Sequence, residues 1–421
     1  MVNDPLENAP VWRREVRPYM IVQRRRNPFA FCLLIVGACA TIGHRNTDDT
    51  RFAQLARTLA DSLTTELIAP GVQLHRLVKN SAPWRVVLLD VDLSKCVDVR
   101  AVKGTTTALG RATTSALLTS IAPALRAVAA VNADFFLFTP PGVPVGAHIE
   151  DGRVLSGPID RPVFAMLPHR KPWIGKLTIS AQLHTTRGDI AIPSWNRPSA
   201  KTTGVVDAAW GIPLDSTVRA ALTLVPIARS RGEQRYLVSP FDRARNGVVT
   251  GDTLLLVGIS ASPPASRSTT TNSANSLYIG DTVTVSRTMS PVIPIEAVGG
   301  QPVLLRDSQV VGAVDSVNNA AFRALNPRTA IGYANNGGRL MIAVIDGRQP
   351  NYSMGMSLRD MANLFRALGA TDAINLDGGG SSAMAINDPR APNGHRLANH
   401  PSDSVGERPV ANALAVLRSC K

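Results

Sequence analysis

Two hydrophobic periods divide the chain. From Arg51 to Ile68, apolar residues at Phe52, Leu55, Leu59, Leu63 and Leu67 recur at helical spacing, and Pro70-Gly71 ends the run. From Val72 onward, alternation and short apolar runs such as Val86–Leu89 predict strands. Thr113–Arg126 reads as a helix interrupted near Pro123. Leu125–Val131 then predicts a buried strand rising into Asn132-Ala133-Asp134-Phe135-Phe136. Val145–Ile149, followed by Asp151-Gly152, predicts a β-hairpin. Residues 165–290 mix strands and prolines with a Ser/Thr-rich run at Ser266–Ser276, which predicts a β-rich region carrying a loop. Beyond Pro294 the pattern sharpens. Ala297–Leu305 is a glycine-turned strand, and Leu340–Ile345 ends at Asp346-Gly347-Arg348. Ser357–Leu368 is a helix with Leu358, Met361, Ala362, Phe365 and Leu368 on one face. Ser357 and Asp360 resemble a capping box, and Gly369 closes the helix. The apolar run Ala373–Leu376 follows at once and delivers Asp377.

This succession predicts an α+β fold, with mixed or antiparallel sheets forming most of the core and a few flanking helices. A doubly wound sheet needs regular strand–helix alternation, which residues 140–300 lack. The expected organisation is an N-terminal extension and export signal over 1–43, a linker helix over 44–71, and one domain over 72–421. Residues 165–290 are the variable middle of that domain.

Composition narrows the function. The 421 residues are 44% apolar and only 18% charged, as in a globular protein. The net charge of +14 comes from scattered arginines, and aromatics make up 5%. No basic stripe interleaves with stacking residues, so a nucleic-acid partner is not expected. Anionic polysaccharide, lipid headgroups or a phosphorylated substrate suit the charge better. Arg24, Arg25 and Arg26 precede the apolar run Phe29–Ile42, which is too short to span a membrane as a helix and reads as an export signal. Ala38-Cys39-Ala40 fits ordinary signal cleavage. Ile35–Cys39 also resembles a bacterial lipobox, in which lipidation of Cys39 would attach the protein to a membrane. The expected location is therefore periplasmic, or membrane-anchored as a lipoprotein. Six arginines, two glutamates and one aspartate lie in residues 1–38, so a charge of +11 stays with the exported body. Of four cysteines, only Cys96 and Cys420 lie beyond the signal, and one bridge between them would suit an oxidising compartment.

The candidate chemistry centres on Ala373–Met384. Glycines 378 to 380 let successive N–H groups converge, and the Ser381 and Ser382 hydroxyls sit beside them, an arrangement suited to phosphate or sugar oxygens. Asp377 stands on the rim as acid, base, nucleophile or ligand. The structural alternative is a tight turn whose aspartate only bonds the loop. Asn132 and Asp134 end an apolar strand, either as a capping pair or facing a cleft walled by Phe135 and Phe136. If the strands before Asp346 and Asp377 are neighbours, both carboxylates meet at one sheet edge. Arg328 and Arg408 offer fork-shaped cations for a phosphate. No lysine follows the glycines, so the P-loop pattern fails, and the histidines lack zinc spacing.

Seven stretches in order resemble the phosphodiester glycosidase family. They are N-A-D-F-F from Asn132, V-G-G-Q-P from Val298, P-R-T-A-I-G from Pro327, I-D-G-R from Ile345, S-L-R-D-M-A-N-L from Ser357, N-L-D-G-G-G-S-S from Asn375, and P-S-D…G-E-R from Pro401. Ala133 departs from the glycine usual there, and the middle third matches poorly. The resemblance implies cleavage of the sugar–phosphate bond of a glycosyl-1-phosphodiester in exported or envelope glycans. Asp377 and Asp346 would flank the anomeric carbon. Arg328, Arg408 and Gly378, Gly379, Gly380, Ser381 and Ser382 would hold the phosphate, while Asn132 and Asp134 bind sugar or position a carboxylate. No cofactor is required by that chemistry. Asp377, Asp346 and Asp403 alternatively offer oxygen ligands to Ca²⁺ or Mg²⁺. Two further readings are hydrolysis of phosphate-free exopolysaccharide and a non-catalytic carbohydrate-binding envelope lipoprotein.

Overall fold

The computed structural model describes residues 54–199, 201–214, 220–230, 233–241, 249–259, 277–314 and 320–419. The chain divides into residues 1–46 and 47–421, and every described residue belongs to the second unit. The export signal, Cys39 and the run Ser266–Ser276 lie outside the described residues. No helix among the described residues is long and apolar enough to cross a membrane.

Two antiparallel sheets stacked between two helices form the part that carries the site. The larger sheet runs, in spatial order, Ser62–Ala69, Val72–Lys79, Trp84–Asp92, Arg339–Ile345, Arg328–Ala334, Asp372–Asn375, Val303–Arg306 and Gln309–Val310. The smaller runs His395–Leu397, Met384–Asn387, Ala127–Asn132, Ala413–Arg418 and Val97–Val102. Period-two alternation sorts side chains to the two faces of each strand. Val87, Leu89, Ile342 and Val344 meet Val99, Val131, Met384 and Leu414 between the sheets. Val86, Leu88, Met341 and Ala343 face the other way, onto Leu358, Met361 and Phe365 of the helix Leu358–Ala367. Ala130, Ala385 and Ala415 of the smaller sheet pack against Leu117 and Leu118 of the helix Thr114–Leu125. The result is a helix–sheet–sheet–helix stack in which both central sheets are covered on both faces. Sheets of five and seven strands, all paired antiparallel, share a further core built from the middle third and Glu296–Gly299. The expected α+β class is thus observed.

Local signals held in several places. Ser357 caps its helix, accepting from the Asp360 N–H while its hydroxyl donates to that residue's carboxylate. The turn Asp151-Gly152 has both residues at positive φ, as a two-residue hairpin requires. Two expectations need correction. Pro123 does not interrupt the helix Thr114–Leu125, which continues past it. The helical period of Arg51–Ile68 gives way to the strand Ser62–Ala69, which pairs with Val72–Lys79 across the Pro70-Gly71 turn. Among the described residues of that run, only 54–59 is helical. The Leu63–Leu67 spacing fits a helix, but the paired edge of the sheet decides the outcome, and Leu67 is left 70% exposed. Cys96 is disulfide-bonded. Its carbonyl accepts from the Ser419 N–H, which brings the C-terminal segment alongside, while Cys420 itself lies outside the described residues.

Candidate active site

Strand direction brings the expected residues to one edge of the larger sheet. Arg328–Ala334 pairs antiparallel with Arg339–Ile345 on one side and Asp372–Asn375 on the other, with Arg328 opposite Ile345 and Ala330 opposite Asn375. The strands leading to Asp346 and Asp377 are therefore not neighbours. The start of the strand carrying Arg328 lies between their ends, so Asp346, Arg328 and Asp377 emerge at the same edge.

The Asp377 loop is fastened from behind by the smaller sheet. Asp377 N–H donates to the Ala133 carbonyl at 2.8 Å. Asn132 is fully buried. Its amide nitrogen donates to the Asp377 carbonyl at 2.7 Å, and its oxygen accepts from the Thr329 hydroxyl and the Ala383 N–H at 2.8 and 3.1 Å. With its amide committed in this way, Asn132 positions the loop. Asp134 is 2% exposed and accepts from the Gly146 N–H at 2.7 Å. A Cβ on Gly299 would come within 2.5 Å of this carboxylate, so glycine there makes room for it. Burial pushes Asp134 up to about 7, against the pull of the Gly146 N–H and the Arg197 guanidinium, and the nearby charge of Asp377 adds to the rise. Arg197 reaches the same wall, donating to the carbonyls of Gly146 and Gly157 and to the Ser156 hydroxyl.

The glycines serve a different purpose from the one expected. The N–H groups of Gly378, Gly379, Ser381 and Ser382 donate to the Asp377 carboxylate, Pro327, Gly378 and Gly379 respectively, so they form no open cradle. What the bare backbone permits is close approach by two guanidinium groups. A Cβ on Gly379 would stand 3.2 Å from both terminal nitrogens of Arg348, and one on Gly380 would collide with the bidentate pair of Arg408 and Asp403. Gly379 also needs its φ of 62°.

Among the carboxylates at the edge, Asp377 has a partly open surface and Asp346 does not. Burial pushes Asp377 up to about 6, opposed by the Ser381 hydroxyl, the Gly378 N–H and Arg408. The Ser381 hydroxyl lies near enough to favour the ionised form without a fully formed hydrogen bond, and the buried Ser382 hydroxyl has no partner among the described residues. Asp346 accepts from the Asn399 amide, the His400 N–H and the Tyr352 hydroxyl at 3.0, 3.0 and 3.2 Å. Burial raises its pKa against those donors. The Asn399 amide also donates to the Ser382 carbonyl, so Asp346 braces the far end of the Asp377 loop. Arg328 donates to the carbonyls of Met356 and Ala324, and burial, then the neighbouring charge of Arg348, lowers it to about 10.

Arg348 was not singled out from sequence. It is exposed, takes φ 58°, and donates to the Asn326 side chain, with no acidic partner among the described residues. Its signal was only the arginine two places after Asp346. Asn399 and Asn412 were missed as well. Asn412 accepts from the Asp134 N–H and donates to His148, which leaves His148 a buried structural ring. The trio Asp377, Asp346 and Asp403 is not gathered as a ligand set: no cluster of three or more His, Cys, Asp or Glu able to hold a metal occurs among the described residues. A cavity of about 550 Å³ lined by Trp84, Leu325, Met354 and Leu364 contains none of the expected site residues, so concavity alone does not mark the site.

A family model described as phosphodiester glycosidase matches residues 242–417. The uncharacterised SPbeta prophage-derived protein YomE of Bacillus subtilis strain 168 is 37% identical over 97 residues, which is 23% of this chain and 14% of that one. A hypothetical protein from Synechocystis superimposes with a TM-score of 0.64 at 23% identity, over 85% of this chain and 64% of its own. A protein of Burkholderia pseudomallei described as exported superimposes with a TM-score of 0.54 at 24% identity, over 80% of this chain and 74% of its own. The chain spans less than two thirds of YomE and of the Synechocystis protein, and the likeness to the two solved structures is one of fold. Six of the seven motif stretches fall inside 242–417, among them the strands and loops that deliver Arg328, Asp346, Arg348, Asp377 and Arg408. Over that stretch the chain resembles the phosphodiester glycosidases.

Proposed function

We propose that the protein is a hydrolase of the phosphodiester glycosidase type, acting on glycosyl-1-phosphodiesters of exported or envelope glycans. The observation that carries this reading is Asp377, a partly open carboxylate that feels the charge of Arg408 and whose loop holds a second guanidinium, that of Arg348, against Gly379. Water attacks the anomeric carbon and the bond from that carbon to the phosphate oxygen breaks. The bonding pair leaves with the phosphate, giving a free sugar and a phosphomonoester. Phosphate leaves readily, so the greater need is to hold the anion and to stabilise the oxocarbenium-like carbon. Arg348, backed by Arg328, binds the phosphate. Asp377 faces the anomeric carbon, offsets its developing charge and accepts a proton from the attacking water. Asp346 holds Asn399 and the loop in place.

The test is turnover of a synthetic sugar-1-phosphodiester by the Asp377→Asn variant. The expected loss in kcat is about 100-fold or more, with the acid limb of the wild-type profile near pH 6. Near wild-type turnover by the variant would remove Asp377 from this role.

A further inference from the structure

The hairpin that begins at Asp134 carries an aromatic surface that the chemistry at Asp377 does not use. Phe138 is 66% exposed and Leu137 40%, beside a half-buried Phe136. The two phenyl rings stand 5.2 Å apart, tilted by 50°, and the exposed Arg111 guanidinium lies over both at 6.0 and 5.7 Å. Arg111 has no acidic partner among the described residues. An exposed phenyl ring beside a second ring and a guanidinium suits a ligand with one apolar face and one polar edge.

The support is tied down by hydrogen bonds. Phe136 bridges Pro144, the Leu137 N–H donates to Val143, and the Gly142 N–H donates to Leu137. Lys103, 1% exposed, donates its ammonium to the carbonyls of both Gly110 and Gly142, stapling the hairpin tip to the segment that carries Arg111. Its desolvation makes this a costly device for holding a loop.

The ledge also adjoins the site. Asp134 stands at the foot of the same hairpin, and four residues of chain place Phe138 within about 14 Å of it. On the other flank, Ala112 exchanges two backbone hydrogen bonds with Val410, and Glu407 accepts from the N–H and hydroxyl of Ser115. The segment between Glu407 and Val410 carries Arg408. Arg348 follows a strand of the larger sheet, whereas the hairpin follows a strand of the smaller one, and the Asp377 loop touches both: the Asp377 N–H donates to Ala133 and Gly379 lies against Arg348. With a phosphate on Arg348 and the anomeric carbon at Asp377, a sugar chain would continue on the Ala133 side of Asp377, where the hairpin begins.

We infer that Phe138, with Phe136 and Arg111, forms a stacking subsite for a second sugar ring on the glycone side of the bond cleaved, so that the substrate is an oligosaccharyl-1-phosphodiester. This rests on the hydrolase reading above. The apolar face of a pyranose lies on Phe138, and Arg111 meets its hydroxyls or an acidic substituent. The test compares two synthetic methyl phosphodiesters, one monosaccharyl and one trisaccharyl, by calorimetric binding to the Asp377→Asn protein. The trisaccharyl ligand should bind about fivefold to tenfold more tightly. Phe138→Ala should erase that advantage and Phe138→Trp should keep it. Equal affinities for the two ligands, or an advantage that survives Phe138→Ala, would overturn the subsite. Turnover of either ligand by the wild-type protein is read separately: its absence fails the hydrolase reading, while the binding comparison still decides the ledge.

Discussion

Asp134 shows how residue identity and burial diverge. From sequence it was one of two polar residues closing a strand, open to a capping or a binding role. In the fold it is a nearly sealed carboxyl, pushed up to about 7 by burial. Its unfolded value is about 4. Between those values the folded state holds a proton that the unfolded state has lost, so stability falls as pH rises from about 4 to about 7. Asp377, at about 6, and Glu296, at about 8, act in the same direction. Asp134→Asn removes one of these contributions. Urea unfolding at pH 5 and pH 8 should show a smaller loss of stability in the variant than in the wild-type protein, and an equal loss in both would contradict the buried, raised carboxyl. Asn132 was legible as important but not as a clamp. Its three partners lie in strands and loops hundreds of positions away, and nothing local encodes them.

Elements whose signals are local were read well. The capped helix Leu358–Ala367 and the Asp151-Gly152 hairpin are examples, because their cap and turn chemistry lies within a few residues. Ser62–Ala69 was misread because leucine spacing cannot compete with a neighbouring strand offering a complete ladder. The glycine loop was located correctly, but its use was not legible. Glycine allows converging N–H groups and close approach by a side chain equally well, and only the partners distinguish them. Here four of the N–H groups are taken internally and the guanidinium groups lie against the backbone. Gly379→Ala should therefore act through Arg348: the added methyl group would stand 3.2 Å from its terminal nitrogens, so the guanidinium must shift by a few tenths of an ångström, and positive φ strains the alanine. Steady-state kinetics on a sugar-1-phosphodiester should show KM raised about tenfold, the scale of one charged hydrogen bond. An unchanged KM for this variant together with an unchanged KM for Arg348→Ala would show that Arg348 does not hold the anion.

At the scale of the molecule, the site is a seam between the two central sheets. The larger sheet contributes Arg328, Asp346, Arg348 and Asp377. The smaller supplies Asn132 and Asp134 from behind, and the Asn399–Arg408 segment folds over the loop. The sequence motifs were recognisable in order, but their convergence depends on the interposed strand Arg328–Ala334, which periodicity does not show. The central claim is that this seam breaks a bond at carbon rather than at phosphorus. Hydrolysis of a synthetic glycosyl-1-phosphodiester in ¹⁸O-labelled water, followed by mass spectrometry of both products, tests it most directly. The label should appear in the free sugar and be absent from the phosphomonoester. Label in the phosphate would mean attack at phosphorus and would contradict the account.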